Sequence, residues 1–187
     1  KKTRLIAMLL TLAMAGSLLA GCGDKNNADN ESNNQGESNT PEYLVWNIGA
    51  EPKTWDPTLS DETLSEYLTI SMFEGLTRQV EDGIEPGVAE TWDISDDGTV
   101  YTFHLKEGVK WHDGEDFTAD DVVFTLTSLA DPNYNGGADG RVMSIAGAAD
   151  YQAGNADSVS GIKKVDDYTV EITLESANAA FLSNMYT

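Results

Sequence analysis

Apolar and polar positions divide the chain into three regimes. Residues 5–20 (LIAMLLTLAMAGSLLA) are almost wholly apolar, and residues 23–41 (GDKNNADNESNNQGESNTP) are almost wholly polar. From Tyr43 onward apolar residues recur with the periods of strands and helices. Tyr43–Ile48 alternates, with Leu44, Trp46 and Ile48 on one face, and predicts a strand. Asp56-Pro57 predicts a turn. Over 61–76, Leu64, Tyr67, Leu68, Met72 and Leu76 fall on one stripe with Gly75 near its end, which predicts a helix. Pro86-Gly87 interrupts the chain again. Residues 92–95 and 99–105 predict a hairpin around Asp96-Asp97-Gly98, with Tyr101, Phe103 and Leu105 on one face.

Residues 119–130 carry the strongest helical signal. Thr118 and Asp121 have capping-box spacing, Val122, Val123, Leu126, Leu129 and Ala130 form the apolar stripe, and Asp131-Pro132 ends it. A Gly/Asn-rich loop over 133–140 leads to a predicted helix over 141–153. Residues 161–165 and 168–174 predict a second hairpin turning at Asp166-Asp167, with Val170, Ile172 and Leu174 facing one way. A last helix is expected to start within 177–185, and its abrupt end makes the chain read as a truncated one.

The 187 residues include 11 Lys+Arg against 32 Asp+Glu, a formal charge of −21. A phosphate backbone requires a basic surface, so nucleic acid is excluded as a partner, as is electrostatic docking on anionic lipid. The 40% hydrophobic content is enough for a packed core. One cysteine excludes an internal disulfide and a CxxC redox or zinc-ribbon site. Every Trp, Tyr and Phe lies at or after Tyr43, so the folded part begins there.

Lys1, Lys2 and Arg4 precede an apolar run too short for a permanent span of about 20 residues. A basic start and a short apolar core make a secretory signal over 1–21. The run ends in Leu19-Ala20-Gly21-Cys22, which resembles a bacterial lipobox. That resemblance implies a diacylglyceryl anchor on Cys22, and two acyl chains hold a protein on a membrane where one is marginal. Residues 22–42 then read as a flexible tether, since they hold six Asn and almost nothing to bury.

Motifs for several chemistries are missing. The sequence holds no G-x-S-x-G elbow, no Walker loop and no G-x-G-x-x-G. His104 and His112 lack a helical i, i+4 partner and read as structural, so no metal site is assigned. Asp93 to Gly98 looks like half a calcium loop, but His104 stands where the loop's Glu belongs. The acidic run from Asp113 to Asp121 reads as a turn and a helix N-terminus, where the macrodipole favours carboxylates. No catalytic residue and no cofactor are expected.

Seven segments together resemble the extracytoplasmic solute-binding proteins of family 5, the receptors of oligopeptide, dipeptide and nickel ABC importers. They are Glu51-Pro52 with Trp55-Asp56-Pro57; Phe73-Glu74-Gly75-Leu76; Pro86 to Trp92; Ser95 to Lys106; Gly108 to Gly114; Thr118 to Phe124; and Val165 to Val170. Each is weak alone, but they occur in family order. The resemblance implies a periplasmic-binding-protein-like α/β fold of two lobes with a small extra N-terminal domain. In the visible part that fold is α+β and stops before the second lobe. It implies that 43–73 starts the first lobe and that 74–187 is most of the accessory domain. It further implies an extended peptide ligand held by strand-like backbone pairing, permease subunits as partners, a monomer, and an extracytoplasmic location. Asp61 and Thr63, just beyond the Asp-Pro turn, and Tyr134, just beyond Asp131-Pro132, match family ligand-contact positions. The runner-up readings are a receptor for nickel chelates or oligosaccharides, an anchored cell-surface hydrolase, and an adhesion lipoprotein.

Overall fold

The structure is a computed structural model that describes residues 45–186. The apolar leader, Cys22, the tether and the first two residues of the expected 43–48 strand lie outside them. Residues 45–48 are not in a strand; Asn47 instead bends the chain by accepting the Gly49 N–H on its side-chain oxygen at 2.9 Å.

Helix α1 spans Thr63–Met72. It is shorter than the expected 61–76 because Phe73 is already extended. Its inward residues are Ser65 and Thr69, while Tyr67, Ile70 and Met72 are exposed. The stripe read from the sequence is thus split: Leu76, beyond the helix, is buried, Leu64 and Leu68 are half-buried, and Tyr67 and Met72 are exposed.

A hairpin that the sequence analysis did not anticipate follows: β1 (Thr77–Val80) pairs antiparallel with β2 (Gly83–Pro86). Its only buried residue is Thr77, whose hydroxyl donates to the Leu182 carbonyl at 2.8 Å. A strand pair with so little to bury leaves no alternating apolar signal.

The centre is a four-stranded antiparallel sheet in the order β3-β4-β6-β5, made of Ala89–Ile94, Val100–Leu105, Thr169–Thr173 and Ile162–Asp166. Both expected hairpins are present. The β3–β4 corner closes because Asp97 accepts from the Ser95 hydroxyl at 2.6 Å and from Thr99 N–H and hydroxyl at 3.1 and 2.8 Å. Those bonds hold its carboxyl below the usual range, the Ser95 hydroxyl contributing most. Gly98 takes φ +71° there, a conformation that disfavours a side chain.

Tyr101, Phe103 and Leu105 of β4, with Val170 and Ile172 of β6, line one face and are buried. Helix α2 (Ala119–Leu129) covers that face with Val122, Leu126 and Leu129. Its capping box is formed: Thr118 N–H donates to the Asp121 carboxylate at 2.8 Å, and the Thr118 hydroxyl accepts from Asp120 N–H at 3.3 Å. The β5–β6 turn is tied to the same helix end. Ala119 N–H donates to the Asp167 carbonyl at 2.8 Å, and Lys164 bridges Asp120 and Asp167 at 2.8 Å each. Asp120 first, then Asp167, raises the Lys164 ammonium above its ordinary value.

The expected helix over 141–153 is replaced by a single 3-10 turn (Asp139–Arg141) and a short helix α3 (Ala148–Gln152). The reason is competition from the sheet. Ile145 bridges to Leu174, Ala146 N–H donates to the Thr173 carbonyl at 2.9 Å, and Gly161 N–H donates to the Ala146 carbonyl at 2.8 Å. Backbone groups engaged in this way cannot form helical bonds. The helix expected within 177–185 is likewise only a 3-10 turn, Leu182–Asn184, anchored by the fully buried Phe181.

Candidate functional site

The Asp-Pro turn expected from the sequence is built from short side chains. Asp56 accepts from the Thr58 N–H at 2.8 Å and from the Thr58 hydroxyl at 2.7 Å, while its own N–H donates to the Thr54 hydroxyl at 3.0 Å. These bonds set the direction of residues 58–63, which run over the surface into α1.

Asp61 is exposed and forms an ion pair with Lys53 at 3.3 Å. An exposed pair of this kind contributes at most about 1 kcal/mol and does not lock the carboxylate away from a ligand. Thr63 is exposed at the first turn of α1. Between them, Glu62 turns inward. Its carboxylate accepts from Lys53 N–H at 3.0 Å and from the Ser65 hydroxyl at 2.8 Å. The Lys53 N–H first, then the Ser65 hydroxyl, holds its carboxyl below the usual range. Glu62 is thus a clasp on which Asp61 and Thr63 are mounted.

Tyr134 follows the Asp131-Pro132 break that ends α2. Asp131 accepts from Asn133 N–H at 2.7 Å, which turns the chain out of α2. The phenol donates to the Thr58 carbonyl and accepts from Ala138 N–H at 3.0 Å. The structure therefore brings Tyr134 onto the segment that carries Asp61 and Thr63, as a tie between that segment and the loop after α2. Gly136 makes the approach possible: a Cβ there would stand 2.3 Å from the Tyr134 hydroxyl oxygen and 2.5 Å from the Thr58 carbonyl oxygen.

Beside this tie opens a mostly apolar groove of about 220 Å³, bordered by Phe73, Trp111, Phe117 and Leu126. Trp111 and Phe117 meet edge to face with centroids 5.6 Å apart. Arg141 also borders the groove; its guanidinium lies 4.6 Å from the Tyr186 ring centroid and donates to the Tyr186 carbonyl at 2.8 Å. Neither Arg141 nor the groove was singled out from the sequence. The available signal was rarity, because only Arg78 and Arg141 follow Arg4 in an acidic chain. His104 pairs with Asp93 across the β3–β4 hairpin at 2.9 Å, and His112 meets Phe73 edge to face at 6.3 Å. Both histidines are used in packing and pairing. The gathered groups are hydroxyls, carbonyls, a carboxylate and aromatic faces, which is the chemistry of holding a ligand.

The model for bacterial extracellular solute-binding proteins, family 5 middle region, matches residues 83–187. Heme-binding protein A of Haemophilus influenzae is 34% identical over 189 residues, covering 94% of this chain and 34% of that protein. Oligopeptide-binding protein AmiA of Streptococcus pneumoniae is 33% identical over 185 residues, covering 93% of this chain and 26% of that protein. Among solved structures, Haemophilus influenzae OppA in complex with RPPGFSPFR superposes with a TM-score of 0.68 at 27% identity, over 75% of this chain and 29% of that one. The mixed helix-and-sheet architecture expected from the sequence agrees with that neighbour. The chain spans about a third of these relatives' length or less.

Proposed function

We propose, since this chain belongs to the family 5 bacterial extracellular solute-binding proteins, that it is the N-terminal part of a receptor that binds oligopeptides and passes them to an ABC permease. The observation that carries the reading is the 33% identity to an oligopeptide-binding protein over 93% of the chain. The fold of a neighbour solved with the peptide RPPGFSPFR supports it. In a protein of the relatives' length, residues 43–73 begin the first ligand lobe and 74–187 form most of the accessory domain. Peptide backbone lies against Thr58–Thr63, with Asp61 and Thr63 as contacts and Tyr134 holding the segment in place. The receptor acts by hinge closure without a chemical step. It is a monomer, held at the outer face of the membrane through acylated Cys22.

The relative named for heme favours one second reading, a receptor for a metal chelate or tetrapyrrole. Calorimetric titration of a protein of the relatives' length separates the two. A mixed tri- to pentapeptide pool is expected to give saturable binding, and heme or a nickel–histidine chelate is not. Saturation by a chelate with no response to peptides overturns the peptide reading. Palmitate labelling of cells expressing wild type and Cys22→Ala tests the anchor, and an unlabelled wild type refutes it.

A further inference from the structure

We propose that Asn135 is a spontaneous deamidation site whose conversion undoes the Tyr134–Thr58 tie. Asn135-Gly136 is the only Asn-Gly pair in the sequence. Asn135 is exposed, and among the described residues neither its amide nor the Gly136 N–H has a hydrogen-bond partner. Neither reacting group is therefore held by another hydrogen bond, and glycine brings no side chain to obstruct ring closure.

In the reaction the Gly136 nitrogen attacks Cγ of Asn135. The new N–Cγ bond closes a five-membered imide as the Cγ–Nδ2 bond breaks, and the Gly136 N–H proton leaves with ammonia. Water then adds to either imide carbonyl, giving aspartate or isoaspartate. Solvent is the only co-reactant, and no electrons change hands.

The position makes the product matter. Isoaspartate routes the backbone through the side-chain carbon and so lengthens the loop just before Gly136. Gly136 is closely enclosed at the tie, since a Cβ on it would stand 2.5 Å from the Thr58 carbonyl oxygen, a backbone atom. The new carboxylate also joins Asp131 and Asp139 in the same loop. Asp97-Gly98 is a natural contrast. Its side chain is held by Ser95 and Thr99 and kept ionised, so the same ring closure is opposed there.

The test is to age the purified full chain at mildly alkaline and mildly acidic pH. Peptide mapping and isoaspartyl methyltransferase labelling follow conversion, and hydrogen exchange follows the Ala138 amide that donates to Tyr134. Asn135 is expected to convert several-fold faster than Asn133, Asn155 and Asn178, and faster at the higher pH. Ala138 protection should fall in step with isoaspartate. Asn135→Gln, which closes the ring far less readily, should keep both its mass and that protection. Conversion at Asn135 no faster than at the other asparagines overturns the site. Complete conversion with Ala138 protection intact overturns its effect on the tie. If Asn135→Gln folds poorly, the wild-type time course decides both points.

Discussion

Helices α1 and α2 differ by one residue in length, yet they put opposite kinds of side chain inside. Helix α2 buries Val122, Leu126 and Leu129 against the sheet, whereas α1 buries Ser65 and Thr69 and exposes Tyr67, Ile70 and Met72. The difference lies in what each helix has to pack on. Strands β4 and β6 offer α2 a continuous apolar face. At the start of helix α1 it is a polar group, the Glu62 carboxylate, that accepts from the Lys53 N–H and from the buried Ser65 hydroxyl. An apolar stripe is a capacity for burial, and the neighbouring surface decides whether it is used.

The largest test of this contrast is to truncate one aromatic on each side. Phe103→Ala empties the centre of the sheet under α2 and should cost about 3–5 kcal/mol in urea unfolding. Tyr67→Ala on α1 should cost less than about 0.5 kcal/mol. Similar losses at the two positions would mean that α1 is packed after all. Next in size is Tyr134→Phe, which leaves the Thr58 carbonyl without its donor and the Ala138 N–H without its acceptor. About 1–2 kcal/mol is expected, together with faster amide exchange at Ala138. Thr118→Ala removes half of the capping box and should cost about 1 kcal/mol, with the exchange increase confined to the first turn of α2.

The smallest effect concerns the Glu62 clasp. Its folded carboxyl is lowered by the Lys53 N–H and the Ser65 hydroxyl. The clasp therefore stabilises fully above the ordinary glutamate range, and that contribution fades as pH falls through the folded value. The melting temperatures of wild type and Glu62→Gln should differ at neutral pH and converge in acid. A difference that grows on acidification would reverse the assignment.

Much of the fold was legible in the sequence where partners are close along the chain. Both sheet hairpins and the capped helix follow from alternation, turn residues and the Thr118–Asp121 spacing. The 141–153 helix failed because residues 145–146 are claimed by the end of β6 and by Gly161, contacts that no local pattern contains. The β1–β2 hairpin was missed for a related reason, since Thr77 is its only inward group. In the candidate site, the family resemblance picked out residues 61, 63 and 134 one by one, but the Tyr134–Thr58 bond joins residues 76 positions apart and no local pattern contains it. The Arg141–Tyr186 contact joins residues 45 positions apart in sequence, and nothing between them announces it.

The sheet's two outer strands carry one last consequence. Strand β3 shifts register at Glu90, and β5 shifts register at Val165 and bears Lys163 and Lys164. Each margin thus offers an interrupted row of backbone donors and acceptors studded with charge. Two copies of this chain meeting side by side could not zip their sheets together without burying those charges and straightening those kinks. Edge-to-edge pairing through this four-stranded sheet is therefore disfavoured.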